Sequence, residues 1–537
     1  MAHPSLNRKS AIIINAILLF SIPLLIIYKI ILISEVKITK EIQIENKTEV
    51  IKKEKIGNIN TERIINANNE PQNWLSHGRD YHEQRYSPLN QINLETINKL
   101  ELEWSLDMGT KRGLEATPII DNGIMFVSST WSVVHAVDAK TGKELWVYDP
   151  DVPRSWARKV CCDVVNRGVA VWEGQVYFGT IDGRLISLDA KTGKNIWEIN
   201  TLIDSDKDYT ITGAPRVANG KVYIGNGGAD MGGVRGYVSA YNTKNGNLEW
   251  RFFTVPGDPS LPFEHPELEM ASKTWTGQWW TMGGGGTVWN AIVFDPEFNQ
   301  LYIGTGNGSP WNQQIRSPEG GDNLFLSSIV ALNADTGKMN WYYQTTPEER
   351  WDYTATQDII LADLNVDGED RKVLMQAPKN GFFYVLDRKT GELLRANNYV
   401  KTNWATHVDL KTGRPVLNPN KNYYEKAIWI LPGTYGGHGW QAMSYDPKQK
   451  LVFIPTMEIA AVHRVKKTFE ETGLYKMLPE TVNTGTEFNL FDTAPDMSDG
   501  DNIPPITGEL IAFDPLTGET RWSVTVSYTH LTLPTKA

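Results

Sequence analysis

From about Asn60 onward the chain alternates short apolar runs with polar turns, and no run of long amphipathic helices competes with them. The runs follow a recurring pattern: apolar-x-apolar-x-Asp/Asn, two further residues, Thr/Asn-Gly, usually closed by Trp. Copies occur at Val134…Asp138…Gly142…Trp146, Leu185…Asp189…Gly193…Trp197, Val238…Asn242…Gly246…Trp250, Ile329…Asn333…Gly337…Trp341, Tyr384…Asp387…Gly391 and Leu510…Asp514…Gly518…Trp522. Each copy predicts a strand, a tight turn and a second strand. Asp or Asn caps the turn, Gly accepts positive φ, and Trp packs between neighbouring sheets. Phe294-Asp295-Pro296 and Tyr445-Asp446-Pro447 read as degenerate copies that subdivide the two long intervals. Strand units recurring about every 50 residues predict an all-β fold, a β-propeller rather than a sandwich.

The N-terminal pattern is different. Arg8 and Lys9 precede a nearly unbroken apolar run over 11–33, interrupted by Lys29. That is long enough to cross a bilayer, which takes about 20 apolar residues. No Ala-x-Ala site follows, so an uncleaved signal anchor is favoured over a removed signal peptide. Residues 1–10 then lie in the cytoplasm and 34–58, alternating Lys and Glu without aromatics, form a charged linker. The propeller occupies 59–524, on the periplasmic side and anchored in the inner membrane. Residues 525–537 fit no blade pattern; they read as foreign sequence after an incomplete propeller.

Composition narrows the function classes. Hydrophobic content of 41% with 22% charged residues indicates a globular chain, and a net charge of −10 excludes a nucleic-acid binder. Two cysteines exclude a disulfide-dense scaffold, and without a CxxCH motif no haem c is encoded here. Those cysteines are adjacent, in Val160-Cys161-Cys162-Asp163-Val164-Val165-Asn166-Arg167-Gly168. Neighbouring cysteines cannot staple distant segments; they can close only a small, strained ring. Export would supply the oxidising compartment such a bridge needs.

The tryptophan-docked repeats, the Cys-Cys-Asp-x-x-Asn-Arg-Gly run and Trp351-Asp352-Tyr353 resemble the pyrroloquinoline quinone (PQQ)-dependent alcohol dehydrogenases. The resemblance runs from about Asn60 to Val524 and includes Arg112–Pro118 and Asp322–Ser328. It implies an eight-bladed propeller that holds PQQ and one Ca²⁺ per subunit and oxidises a small alcohol to an aldehyde. Electrons would pass to a cytochrome c or a membrane quinone. By the same resemblance a Cys161–Cys162 bridge and Trp289, in Gly283-Gly-Gly-Gly-Thr287-Val-Trp289, cover the two faces of PQQ. Glu115, Arg167, Thr212, Thr287, Lys379 and the backbone at Gly228-Ala229 would bind it, Arg167 as a bidentate carboxylate partner. The metal ligands would be Asp230, Asn307 and Asp352, all oxygen donors as a hard cation demands. Asp352 is the implied general base, and Lys379 the cation that steadies the reduced quinone oxygen.

Three positions bear on that assignment. Asp230 stands where the family usually has Glu, followed by an extra glycine in Met231-Gly232-Gly233. Gly439, in Gly436-Gly-His438-Gly439-Trp440, stands where Asn is usual. Thr354 stands where lanthanide-using members carry a further Asp, so calcium is the expected ion. A non-catalytic propeller scaffold in envelope assembly would need neither the cysteine pair nor Trp289 nor Asp352. A PQQ-dependent sugar or polyol dehydrogenase is disfavoured by a single spanning segment and by the vicinal cysteines. The pairing has a direct check. Unreduced protein from periplasmic expression is expected to show a Cys161–Cys162 bridge by mass spectrometry, and free thiols there would count against a cofactor-covering role.

Overall fold

The Asp/Asn–Gly turns join the last two strands of antiparallel four-stranded sheets. The computed structural model describes residues 33–34, 36–39, 56–487, 495, 497 and 502–526. Among these, six four-stranded sheets form, spanning 119–148, 170–200, 216–253, 292–344, 359–398 and 444–525. The turn chemistry is as expected. Asp138 Oδ1 accepts from the Thr141 backbone N–H and hydroxyl, both at 2.9 Å, and Asp387 does the same with Thr390 at 3.0 Å. Gly142 completes its turn with φ +70°, a region closed to most side chains.

Tryptophans tie the first five sheets in succession. A Cβ on Gly193 would lie 2.7 Å from the Trp146 ring, one on Gly246 2.9 Å from Trp197, one on Gly337 2.5 Å from Trp250 and one on Gly391 2.6 Å from Trp341. The indole N–H groups of Trp146, Trp197 and Trp250 donate to the carbonyls of Ala190, Thr243 and Ala334 at 3.0–3.1 Å. Trp104, which belongs to no repeat copy, docks on Gly142 in the same way and donates to Ala139 O at 3.1 Å. The series lapses at Gly518, which faces Asn397 rather than an indole.

Two expectations need correction. Phe294-Asp295 and Tyr445-Asp446 do not subdivide the long intervals into further units. They end the first strands, Ile292–Asp295 and Ser444–Asp446, of the fourth and sixth sheets. The interval between Gly246 and Gly337 is instead lengthened by an excursion carrying helix Pro266–Ser272. The interval before Gly518 holds a hairpin, Ala405–Asp409 with Arg414–Leu417, and a three-stranded sheet of Ile428–Ile430, Ala461–Val465 and Thr486–Glu487. Eight full blades are therefore not formed among the described residues. The apolar segment 11–33, apart from Ile33, and the tail 527–537 lie outside those residues; among the described ones, no helix is long and apolar enough to cross a membrane. Residues 1–56 and 57–537 are separate compact units.

Within the larger unit one segment shows how the sheets are arranged. Trp74 pairs with Ile120, the Tyr81 hydroxyl donates to Val217 O, and the Tyr81 ring lies 5.0 Å from Phe294. Gln84 Nε2 donates to Leu361 O at 2.8 Å, and Gln84 O accepts from Tyr445 N at 2.9 Å. Further upstream, Gly57 and Ile59 accept from Gly174 and Glu173, beside the first strand of the second sheet. A single segment reaches the first strands of all six sheets only if those strands surround a common centre. Radial packing of this kind is the propeller arrangement.

The docking contacts make a quantitative expectation. Trp250 is buried and hydrogen-bonded, so Trp250→Ala should destabilise the fold by about 3–5 kcal/mol in denaturant titration. Trp522, 42% exposed, should lose less than half as much when changed to Ala.

Candidate active site

In a radial sheet whose strands run inside to outside, the links from second to third strand and from fourth strand to the next sheet emerge on one face. The Asp/Asn–Gly turns emerge on the other. The candidate site residues lie on the first of these faces. Glu115, Arg167, Thr212, Trp289 and Asp352 lie in links leading into first strands, whereas Asp230, Asn307 and Lys379 lie between second and third strands. Topology alone brings these distant positions together.

The expected metal ligands are held by named partners. Asp230 Oδ1 accepts from Asn307 Nδ2 at 2.9 Å and from the Trp311 indole N–H at 2.8 Å. With its amide nitrogen so engaged, Asn307 keeps its carbonyl oxygen for another partner. The Asp230 backbone is fixed as well: its carbonyl accepts from Asn483 N at 2.7 Å, and Asn483 Nδ2 donates to Met231 O at 2.7 Å. The extra glycine sits in this bend. Gly232 and Gly233 have φ of +92° and +74°, a conformation costly for other residues.

Asp352 is buried, with φ +67°, and its Oδ2 accepts from Lys379 Nζ at 2.8 Å. Burial pushes its carboxyl well above the ordinary carboxylate range; Lys379 opposes this and Asp230 adds to it. For Lys379, burial lowers the ammonium, but Asp352 more than offsets it and the group ends raised. Cys162 lies within electrostatic reach of Asp230, Arg167 and Lys379, and Cys161 within reach of Asp230 and Asp352. The two Sγ atoms are 2.8 Å apart as free, exposed thiols. The hydrogen bond between them pushes Cys161 up and pulls Cys162 down.

Arg167 organises the opposite wall. It pairs with Glu115 Oε2 at 2.8 Å and donates to Thr212 Oγ1 at 2.8 Å, and its guanidinium lies 5.1 Å from the Trp289 ring centroid and 5.9 Å from that of Trp440. Burial pushes the Glu115 carboxyl up, with Arg167 opposing. Glu115 Oε1 and Arg167 Nε are buried without a protein partner. Unpaired buried polar atoms of this kind carry a desolvation cost that a polar ligand removes. Thr287 abuts Gly306, whose Cβ would come within 3.2 Å of its hydroxyl, next to Asn307. Ala229 turns its side chain into an apolar cluster with Tyr209, Val234 and Tyr237, so only its backbone and that of Gly228 remain to be offered.

His438 is not available to a ligand. Its Nδ1 lies 2.8 Å from Ala377 O and its Nε2 2.6 Å from Gln441 O, and burial lowers its pKa. At Gly439 a Cβ would sit 2.7 Å from Gln441 Oε1, so Gln441 takes up the space an asparagine would need. Sequence reasoning missed Trp311, Arg316 and Glu349. Glu349 lies in Pro347-Glu-Glu349-Arg and Arg316 ends the short helix Gln313–Arg316. Both read as solvated charges, and nothing local marks them as buried.

Comparison with known proteins identifies the family. The family model described as PQQ: Glucose/ethanol/alcohol dehydrogenase, beta-propeller domain matches residues 74–397. The chain is 54% identical over 457 residues to the quinohemoprotein alcohol dehydrogenase ADH IIB of Pseudomonas putida, covering 84% of this chain and 63% of that protein. It thus spans less than two thirds of the length of that curated relative. The structure of quinohemoprotein alcohol dehydrogenase ADHIIG from Pseudomonas putida HK5 superposes with a TM-score of 0.83 at 49% identity, over 88% of this chain and 69% of that one. A europium-containing methanol dehydrogenase superposes at 0.77 with 33% identity, over 86% and 80% of the two chains. With the family model matched over more than half its length and the site residues gathered on one face of the propeller, the chain belongs to the PQQ-dependent alcohol dehydrogenase family.

Proposed function

We propose that the protein oxidises a small alcohol to the aldehyde, using PQQ and one Ca²⁺. The observation that carries this reading is the buried Asp352–Lys379 pair at 2.8 Å, within electrostatic reach of Asp230. Two carboxylates share a space with one ammonium, and the Asn307 amide completes an oxygen donor set suited to a divalent cation. The residues also suit a planar tricarboxylate. Arg167 and Glu115 bring unpaired buried atoms to its edge, Thr212 and Thr287 add hydroxyls, and the Trp289 ring and the Cys161–Cys162 pair supply two faces. A bridge between those cysteines is part of the proposal, since 2.8 Å between Sγ atoms needs only a small closure.

When bound, PQQ supplies the two-electron acceptor, and the cation makes it more electrophilic. The chain supplies the proton chemistry. With Asp352 Oδ2 held by Lys379, the hydroxyl proton of the alcohol passes to Oδ1 as hydride leaves carbon, so the alcohol loses two electrons and two protons overall. The Lys379 ammonium stabilises negative charge that develops beside it. Electrons leave to a cytochrome c or a membrane quinone, and the apolar segment 11–33 tethers the propeller to the periplasmic side of the inner membrane.

The surroundings of Thr354 support calcium over a trivalent ion. The Thr354 hydroxyl is buried and accepts from Thr356 Oγ1 at 2.9 Å and from Gln357 Nε2 at 3.3 Å. It contributes no charge and is already satisfied.

Two measurements test the reading. Asp352→Asn should retain PQQ yet lower kcat by about 10²–10⁴, because a carboxamide cannot accept the proton; near-normal turnover would remove Asp352 from the mechanism. Dye-linked alcohol oxidation by protein carrying PQQ should be activated by Ca²⁺ and not by La³⁺, and Thr354→Asp should raise the lanthanide response. Stronger activation of the unmodified protein by La³⁺ would overturn the choice of ion.

A further inference from the structure

The three proposed metal ligands trace back to one buried pair of opposite charge. The Glu349 side chain is fully buried. Its Oε2 accepts from Gly308 N at 2.9 Å, and its Oε1 accepts from Trp351 N at 2.7 Å and Tyr353 N at 3.0 Å. Those amides border Asn307 on one loop and Asp352 on another. The Glu349 backbone carbonyl accepts from Arg316 Nη2. Arg316 is itself fully buried; its Nη1 donates to Pro310 O at 2.7 Å and to Trp311 O at 2.6 Å, and its Nε to Asn323 Oδ1 at 3.2 Å. Trp311 then holds Asp230 through its indole N–H at 2.8 Å.

We propose that Arg316 and Glu349 are positioning residues that fix Asp230, Asn307 and Asp352 relative to one another for cation binding, acting through Trp311, Gly308 and the amides flanking Asp352. The inference rests on the functional reading above. Three features favour it over a purely structural role. The pair joins the loops that carry the ligands. Contact is too close for a side chain at Gly308, where a Cβ would lie 2.3 Å from Arg316 Cζ. Asp352 occupies a left-handed conformation, φ +67°, that is strained for a residue with a Cβ and persists only where neighbours enforce it. The peptide N–H groups on both sides of Asp352 end on the same oxygen of Glu349. Prearranged ligands need not be ordered when the ion binds, and groups that orient ligands typically contribute 10- to 100-fold to metal affinity.

Glu349→Gln keeps the shape but offers one accepting oxygen in place of two, so either the Gly308 arm or the Trp351–Tyr353 arm is lost. Trp311→Phe keeps an aromatic side chain, though a smaller one, and removes the indole donor to Asp230, which preserves a test should the first variant fold poorly. Ca²⁺ is titrated calorimetrically into the full chain carrying PQQ. The expected result is roughly 10- to 100-fold weaker Ca²⁺ binding in both variants, with PQQ affinity in calcium-free buffer unchanged. A control, Ile360→Val in the core between the fifth and sixth sheets, should lower thermal stability without changing Ca²⁺ affinity. Parental Ca²⁺ affinity in both test variants would overturn the positioning role while leaving the functional reading intact. An equal loss in the control would overturn it too, as a generic effect of instability. Unmodified protein that binds PQQ but no Ca²⁺ would overturn both readings.

Discussion

The structure depends on an indole laid against a residue with no Cβ. Four such contacts, Trp146–Gly193 through Trp341–Gly391, hold successive sheets at a set separation, and a fifth, Trp104–Gly142, packs on the first sheet. Each indole fills the gap that the glycine leaves, and four of the five also satisfy a backbone carbonyl. The glycine serves twice, since the turn it closes requires positive φ and the ring above it requires bare Cα. Because the contact fixes the angle between sheets, it also decides where the links on the opposite face converge. The active site is in that sense a by-product of docking on the far side of each sheet. Where the series lapses, at Gly518 against Asn397, the sixth sheet leaves its outermost strand, Thr520–Thr525, exposed.

Much of this was legible because it is local. Asp–x–x–Thr–Gly followed by Trp encodes its own turn, and the copies fell on the third and fourth strands. The first two strands carry no such signature. Phe294-Asp295 and Tyr445-Asp446 were therefore misread as extra units when they are the opening hairpins of sheets whose later strands lie beyond long excursions. Site residues in compact motifs, such as Cys161–Arg167 and Trp351–Asp352, were found together in space. Arg316 and Glu349 were not foreseen, because a charge in a polar stretch is normally solvated and only the completed fold buries it. Trp104 escaped notice for a related reason: it docks like the others but follows no turn of its own.

The electrostatics of the site follow from the same burial. Glu115 and Asp352 are both pushed up by loss of water, yet each has one cation within hydrogen-bonding distance, Arg167 and Lys379 respectively. The site therefore divides into a region around the Arg167 guanidinium and a region where Asp230 and Asp352 share the Lys379 ammonium.

The segment from Gly57 to Tyr86 has a consequence for how the chain reaches this state. Gln84 bonds to Leu361, 277 positions away, and also to Tyr445. Its partners are thus synthesised long after it. The contacts of this segment with the fifth and sixth sheets cannot form until those sheets exist. Closing contacts so remote carries a large loop entropy, and folds dominated by them form slowly. Until those contacts form, the first strands of the fifth and sixth sheets keep an open edge, and open strand edges invite pairing with other chains.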